Sequence, residues 1–178
     1  MLKRSLPLLT LALLMMTEPA YASTLPRVDF HKGETMVGVG LPDLNLDYAL
    51  TDHLSLGATW VSMGLPAYGF GAIRGTYRIG RVPWGGEYGL TAAVGLESNY
   101  PATPTTPLSY QSWGQIALDA SLPLTRRFTI RATVGPILWG SYTLYWYAVP
   151  NLELAYELNS RNELTLGGNS LIGWRGIF

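Results

Sequence analysis

The sequence predicts an all-β chain that folds, after loss of a signal peptide, into an antiparallel up-and-down transmembrane β-barrel. Three observations support this fold class. Apolar and polar residues alternate through most of the chain after residue 34, as on a strand with one apolar face. The alternating segments recur about every dozen to fifteen residues, which is typical of consecutive antiparallel strands. The first residues have the features of an export signal.

Residues 1–22 have the three regions of a secretory signal peptide. Lys3 and Arg4 give a positive start, and an apolar run covers 6–16. This run is shorter than the ~20 residues that a membrane-spanning helix needs. The sequence Ala-Tyr-Ala at 20–22 is a small-x-small cleavage site, so we expect cleavage after Ala22. Residues 23–33 show no period and are predicted to be a periplasmic lead-in to a barrel domain at 34–178.

The composition argues against several classes of function. Removal of Lys3, Arg4 and Glu18 with the leader reduces the 12 basic and 12 acidic residues to 10 and 11. This near-neutral balance, without a basic cluster, argues against nucleic acid as a partner. The chain has no Cys, which excludes disulfides, thiol chemistry and Cys-based metal sites. His31 and His53 are the only histidines of the chain, so we expect no metal and no cofactor.

The first four strands are predicted at 34–50, 54–63, 69–80 and 86–97. The last of these shows the pattern most clearly, because its even positions are apolar and its odd positions include Glu87, Thr91 and Glu97. Short polar or proline-containing segments separate the strands, at 51–53, 64–68 and 81–85.

The second four strands are predicted at 109–122, 128–138, 143–158 and 163–178. The segment 99–107 before them contains three prolines, which cannot donate to a strand ladder, and is therefore predicted to be a loop. Turns are expected at 125–127 and 159–162, between strands that each keep an apolar face.

The strand count depends on a change of parity near Pro42. Val37 and Val39 are apolar at odd positions, whereas the apolar positions from Leu44 onward are even. A slip of one residue requires a bulge or a turn. A bulge gives eight strands, which is the first expectation for so short a chain. Turns at both 41–43 and 167–170 give ten, although the constant parity of the last segment favours a single strand there.

The polar face carries charges in the middle of strands, and the opposite face is almost free of charge. Hydrocarbon contact demands such a face, because a charge there costs roughly 2–4 kcal/mol at the bilayer midplane. We therefore expect the charged face to line the lumen as a network of ion pairs. The predicted lumen charges are Arg74, Arg78, Glu87, Asp119, Arg131, Glu153, Glu157 and Arg175.

The chain resembles the small bacterial outer-membrane β-barrel proteins. The resemblance rests on the signal peptide, the repeated amphipathic strands and the ending Ile172-x-Trp174-x-Gly176-x-Phe178. That ending is similar to the C-terminal signal read by the barrel-insertion machinery, with Gly176 at a step where an apolar residue is usual. The resemblance implies location in the bacterial outer membrane, contact with its lipid and assembly by that machinery, and no particular activity.

His53-Leu54-Ser55 resembles the active-site pair of the outer-membrane lipid A deacylases. In that chemistry His53 would activate Ser55, and a carboxylate such as Asp47 would orient the His. The alternative interpretation is a Thr-Asp-His turn, because Asp commonly closes hairpins. We expect the turn and no enzyme, with a lipid hydrolase as the alternative.

The sequence leaves three functional classes open. An eight-stranded interior is just wide enough for its own side chains, which predicts a monomer with a mostly filled lumen and a structural or surface-interaction role. Ten strands leave more room and allow a narrow pore for small solutes. A soluble periplasmic barrel with its apolar face inside would instead bind an apolar ligand.

Overall fold

The computed structural model describes residues 26–40, 43–62, 69–99, 109–139, 143–146, 151–167 and 170–178. The predicted signal peptide, the predicted connection at 64–68 and all but the first residue of the predicted loop at 99–107 lie outside these residues. The described residues form strands, turns and short irregular segments. No helix among them is long and apolar enough to cross a membrane.

Twelve strands follow one another in the part of the chain that the structure describes. The first six are β1 (Thr35–Gly40), β2 (Asp43–Ala49), β3 (Leu54–Ser62), β4 (Gly69–Arg81), β5 (Glu87–Asn99) and β6 (Ser109–Pro123). The second six are β7 (Phe128–Val134), β8 (Pro136–Trp139), β9 (Thr143–Trp146), β10 (Asn151–Asn159), β11 (Asn162–Gly167) and β12 (Ser170–Ile177).

Ten of these strands form a closed antiparallel barrel. The strands β1 to β7 each pair with the next, β7 pairs with β10, and β10 to β12 continue the ring. Pairing of β12 with β1 closes it. The all-β antiparallel barrel predicted from the alternation is therefore confirmed.

Strands β8 and β9 extend from this ring. β8 continues the register of β7 along β6, after an interruption at Gly135. A Cβ at Gly135 would lie 2.2 Å from the carbonyl oxygen of Ile116, so the chain passes too close to β6 for any side chain there. β9 pairs with β8 and lies outside the ring.

The predicted count of eight strands is wrong, and the alternative of ten is correct. Residues 34–50 do not form one strand with a bulge, because β1 and β2 run antiparallel with Val39 opposite Leu44. Directly opposed residues lie on the same face of a sheet. A hairpin that pairs odd with even residues therefore changes the parity of the apolar positions, which is the slip seen in the sequence.

The last predicted strand also divides in two, and its constant parity is misleading. In the β11–β12 hairpin Leu164 lies opposite Trp174 and Leu166 opposite Ile172. Even residues pair with even residues here, so the apolar face keeps its parity through the turn. Gly167 has a φ of 87°, in the left-handed region that suits glycine, at the end of β11.

The connections separate into two ends of the barrel. At one end lie the segments 50–53, 82–86, 124–127 and 160–161, together with the start of β1 and the end of β12; we call this the turn end. Each of these turns has two to five residues between its two strands. The described ends of β1, β3, β5 and β11, at Gly40, Ser62, Asn99 and Gly167, lie at the opposite end, which we call the loop end.

The wall buries its polar face and exposes its apolar face. In β2, Asp43, Asn45 and Asp47 are buried, whereas Leu44 and Leu46 are about half exposed. The same alternation continues around the ring, where Ile73 on β4 is 65% exposed and Ile116 on β6 is 64% exposed. The interior of this barrel is therefore polar, and its outer surface is apolar.

The ten-strand arrangement makes a direct prediction for a double-cysteine variant, since the chain has no Cys of its own. Val39 and Leu44 are opposed across β1 and β2, which places their Cβ atoms about 4.5–5.5 Å apart. Val39→Cys/Leu44→Cys is therefore expected to form a disulfide on mild oxidation, detected by mass spectrometry. Within a single strand these positions would lie about 16 Å apart.

The control is Val39→Cys/Tyr48→Cys, because Tyr48 lies opposite Thr35, at the other end of β1. Oxidation of this pair to the same extent, or no oxidation of the first pair, would contradict the hairpin.

Candidate functional site in the barrel interior

Two arginines and two glutamates form the most deeply buried ionic cluster of the interior. Arg131 of β7 donates from Nη1 to Glu153 Oε1 of β10 at 3.0 Å, and from Nη1 and Nη2 to Glu163 of β11 at 2.9 Å. Arg175 of β12 contacts the same two carboxylates. We call these four residues the ionic quartet. Its formal charges cancel, so it avoids the cost of an uncompensated buried charge.

The register of four consecutive strands builds this quartet. Glu153 lies directly opposite Arg131, and Glu163 lies directly opposite Arg175. Each pair therefore has both members on the inner face of neighbouring strands. Glu163 reaches Arg131 from β11, past β10, and so links the two pairs. Arg131 and Glu153 are 2% and 1% exposed, which leaves each of them with protein rather than water as its main partner.

A second ion pair spans three strands across a glycine. Asp47 of β2 lies opposite Gly57 of β3, and Gly57 lies opposite Arg74 of β4. Arg74 Nε donates to Asp47 Oδ1 at 2.9 Å, and its Nη2 donates to Oδ2. A Cβ on Gly57 would lie 1.9 Å from Asp47 Oδ1. The absence of a side chain on β3 therefore gives Asp47 the room to reach Arg74.

A third group lies near the turn end. Glu87 of β5 accepts from Arg78 at 3.1 Å and from Arg81 at 2.8 Å. Arg78 also donates to the carbonyl oxygen of Phe30 at 3.3 Å, and its guanidinium lies 5.7 Å from the centre of the Phe30 ring. One buried arginine thus joins the barrel wall to the segment that precedes β1.

A fourth group, in another part of the barrel interior, consists of one hydroxyl–carboxylate and one hydroxyl–hydroxyl hydrogen bond. Thr133 Oγ1 donates to Asp119 Oδ1 at 2.6 Å, and the hydroxyls of Thr76 and Thr91 are 2.8 Å apart. Asp119, Thr76 and Thr91 are all buried. The first contact joins β6 to β7 and the second joins β4 to β5, both on the lumen face of the wall.

The lead-in segment enters the interior at the turn end. Val28 and Phe30 are 0% exposed, and Phe30 packs with Met36, Ala49 and Ile177. A Cβ on Gly89 of β5 would lie 3.0 Å from Val28, so this glycine makes room for the segment. Residues 26–33 therefore act as a plug of the turn end; we call them the plug. The sequence places them before the barrel but gives no signal that they lie inside it.

Charge pairing anchors the plug to the wall. Asp29 lies 3.0 Å from Arg27 and 3.9 Å from Nε of Arg131 in the quartet. Burial alone would raise the pKa of Asp29, but the charges of Arg27 and Arg131 outweigh burial and hold the pKa well below its ordinary value. At pH values above the ordinary pKa of an aspartate, the ionised Asp29 therefore stabilises the docked plug. Acid strong enough to protonate Asp29 removes this stabilisation.

Backbone contacts fix the end of the plug. The amide of Lys32 donates to Asp52 Oδ1 at 2.9 Å, which lowers the pKa of this exposed carboxyl. The amide of Gly33 donates to the carbonyl oxygen of Ala49 at 2.8 Å, with a φ of 86° at the glycine. His31 is exposed and donates its amide to Glu34 at 2.9 Å.

The structure separates the predicted lumen charges into two groups. Seven of them are buried and face the interior: Arg74, Arg78, Glu87, Asp119, Arg131, Glu153 and Arg175. Glu157 is instead exposed near the turn end, where it borders a small cavity of about 100 Å³. Arg127, Asp29 and Arg131 also border this cavity, so positive and negative groups are mixed around it.

Sequence reasoning missed three carboxylates that take part in the ion pairs of the interior. Asp47 and Glu163 occupy polar-face positions of their strands, and that parity was a usable signal for including them. Asp29 lies in the plug, which has no period, and no sequence signal marks it. Together these three residues contribute to most of the ion pairs described above.

His53 lies apart from Ser55 and Asp47, which both face the interior. Ser55 is buried on the inner face of β3, whereas His53 is exposed in the 50–53 turn. His53 Nδ1 lies 3.1 Å from the carbonyl oxygen of Arg78, and the ring stacks on Tyr77. Asp47 is engaged by Arg74. The turn itself is closed by Thr51, whose hydroxyl accepts from the amides of His53 and Leu54.

The predicted C-terminal assembly residues lie on the outer face of β12 and beyond its end. Ile172 and Phe178 are exposed, and Trp174 is half-buried. A Cβ on Gly176 would lie 2.5 Å from the Trp174 ring and 3.0 Å from the Phe178 ring. Both rings therefore lie over this glycine, which explains why no apolar side chain occupies its step. The backbone of Phe178 exchanges two hydrogen bonds with Thr35, at 2.8 and 2.9 Å.

No group of three or more His, Asp or Glu side chains in the described part of the chain is arranged to hold a metal ion. No protein-family model, curated protein or solved structure matches this chain.

The quartet predicts different effects for two glutamates that face each other across β10 and β11. Glu163→Gln removes a charge from between two buried arginines, so we expect the free energy of unfolding to fall by roughly 3–5 kcal/mol. Glu157→Gln is the control, because Glu157 is exposed, and it should leave this free energy nearly unchanged.

Urea titration monitored by tryptophan fluorescence measures both variants. Equal losses in the two variants, or no loss in Glu163→Gln, would show that the quartet does not stabilise the fold.

Proposed function

We propose that this chain is an integral outer-membrane β-barrel protein, monomeric and non-conducting, with a structural or surface-contact role. The observation that carries the proposal is the sidedness of the wall. Large apolar side chains such as Leu90, Val94 and Ile116 are exposed on the outside, while most arginines and carboxylates of the strands are buried inside. This is the reverse of the arrangement that a barrel in water needs.

The chemistry of the outer face supports hydrocarbon as its solvent. In the middle of the described strands the outward positions are Leu, Ile, Val, Ala, Gly and aromatic residues, with few hydroxyls. Exposure of such a surface to water costs about 25 cal/mol per Å² of apolar area. A bilayer removes this cost, and a closed ring leaves the lipid no open strand edge.

Aromatic residues near the turn end support a membrane boundary at that level. Trp84 and Phe178 are about 70% exposed, and the rings of Phe128 and Tyr156 pack at a tilt of 45° with their centres 4.8 Å apart. Arg127 donates from Nη1 to the Tyr156 hydroxyl at 3.3 Å. Rings with a polar neighbour are favoured where lipid tails meet headgroups. The turn end then faces the periplasm, which fits its short turns.

The filled interior supports a role other than transport. The plug occupies the turn end, and the quartet and the Asp47–Arg74 pair cross the lumen face above it. A solute path through these groups would have to break several buried ion pairs at once. The outer wall and the loop end then remain as the surfaces through which the protein contacts lipid, other cells or other proteins. Insertion by the barrel-insertion machinery belongs to the same proposal.

The proposal predicts opposite environments for two adjacent residues of β6. Ile116 faces outward and Ala117 faces inward. Spin labels on Ile116→Cys and Ala117→Cys are introduced separately, and the protein is reconstituted in vesicles. We expect the label at 116 to be relaxed by lipid-soluble oxygen and the label at 117 to be shielded from it.

Purified protein that stays soluble without detergent, with the label at 116 open to a water-soluble nickel chelate, would overturn the membrane assignment. That result would favour a barrel that works in the periplasm.

The filled interior predicts the absence of single-channel activity. In planar bilayers the reconstituted protein is expected to give no discrete conductance steps, while an added porin gives them in the same membrane. Reproducible conductance steps that disappear when the protein is denatured would contradict the structural or surface-contact role. They would favour a narrow pore for small solutes.

A further inference from the structure

The barrel wall has a low side and a high side. On the low side lie β11, β12, β1 and β2, with 6, 8, 6 and 7 residues. On the high side lie β4, β5 and β6, with 13, 13 and 15 residues. We call the four short strands the low wall. Its strands are consecutive in the ring, with the β12–β1 pairing in the middle.

The low height is fixed by the connections of the strands. Only residues 41–42 separate β1 from β2, and only residues 168–169 separate β11 from β12. Neither hairpin therefore contains enough further chain to raise the wall. Pairs at the very top close each hairpin, with Val39 opposite Leu44 and Gly167 opposite Ser170.

The low wall is shorter than a bilayer requires. A transmembrane strand needs about 9–11 residues at a tilt of about 45°. The low wall falls short by roughly 2–4 residues, which at about 3.4 Å per residue and this tilt corresponds to roughly 5–10 Å of height. The high wall exceeds the requirement. The two sides of one barrel thus fit bilayers of different thickness.

The low wall is apolar up to its top. Val39, Leu44, Leu166 and Ile172 belong to the top of its strands, and each is about half exposed on the outer face. On β2, the described outward positions from Leu44 to Tyr48 carry no charge and no amide. The hydrocarbon of the membrane therefore meets this wall along its whole height, and the headgroups must come to its upper edge.

We propose that the low wall compresses the bilayer beside it, so that the outer membrane is locally thin along the β11–β12–β1–β2 side. This inference rests on the proposed membrane function. A short hydrophobic span is accommodated by thinning of the lipid, at a cost of fractions of a kcal/mol per Å. The low wall therefore contacts lipids whose headgroups lie closer to the bilayer midplane. The free-energy barrier to movement of a headgroup across the bilayer is lower there than in undisturbed bilayer.

Depth measurements at two matched positions test the inference. Leu44 lies five residues above Ala49, the turn-end residue of β2, and Ala92 lies five residues above Glu87, the turn-end residue of β5. Both side chains are on the exposed face. Spin labels on Leu44→Cys and Ala92→Cys are compared by their relative exposure to oxygen and to a nickel chelate. We expect the label at 44 to report a position roughly 5–10 Å nearer the headgroups.

Bilayer thickness provides the second measurement. The wild-type chain is expected to be more stable in phosphatidylcholine vesicles with 12- or 14-carbon chains than in vesicles with 18-carbon chains. A variant with one Val-Thr dyad added to the upper end of each low-wall strand should shift this preference toward the longer chains. If that variant does not fold, the depth comparison with the natural strand lengths still decides.

The outcomes separate this inference from the proposed function. Equal depths at 44 and 92, with no preference among chain lengths, overturn the thinning and leave the membrane barrel intact. Disulfide-linked dimers of Leu46→Cys in vesicles overturn it as well, because a second copy then covers the low wall. Labels at both positions that meet only aqueous reagents overturn the membrane assignment itself.

Discussion

The pairing of buried charges inside the barrel is the constraint on which the rest of this structure depends. An arginine removed from water is tolerated only when carboxylates take the place of its hydration. Arg131 has two such partners, Glu153 on the neighbouring β10 and Glu163 on β11, and Arg175 shares both. The strand register must hold these groups at hydrogen-bond distance, so the ion pairs and the register of β7 and β10–β12 determine each other.

The plug is a continuation of the same principle. Its Asp29 contacts Arg131, and the carbonyl oxygen of Phe30 accepts from Arg78, so the wall arginines bind the plug as well as each other. The apolar side chains Val28 and Phe30 fill the space that remains at the turn end. The barrel end is thus closed by polar and apolar contacts that only a folded wall can offer.

The sequence predicted the fold class because alternation is a local property that every strand carries by itself. Parity also assigns Arg74, Asp119 and Arg131 to the face opposite the leucines, and these three side chains are buried, whereas Glu157 of the same predicted set is exposed. Strand count was harder, because parity reports the face and not the direction of the chain. The β1–β2 hairpin changes parity and β11–β12 does not, although both are turns. Which charges meet depends on register, and register across strands is not visible in one sequence.

The seam between β12 and β1 sets the order in which such a wall is able to form. Strand pairs elsewhere in the ring join neighbouring segments of the chain, apart from β7–β10, which spans the β8–β9 insertion. Among the strand pairings of the described residues, only the seam joins residues as distant as Met36 and Ile177. Loop-closure entropy grows with the length of chain enclosed, so this contact is the most costly to make before the others exist. Assembly is therefore expected to proceed by hairpins that zip in succession, with ring closure at the seam as the final and slowest event.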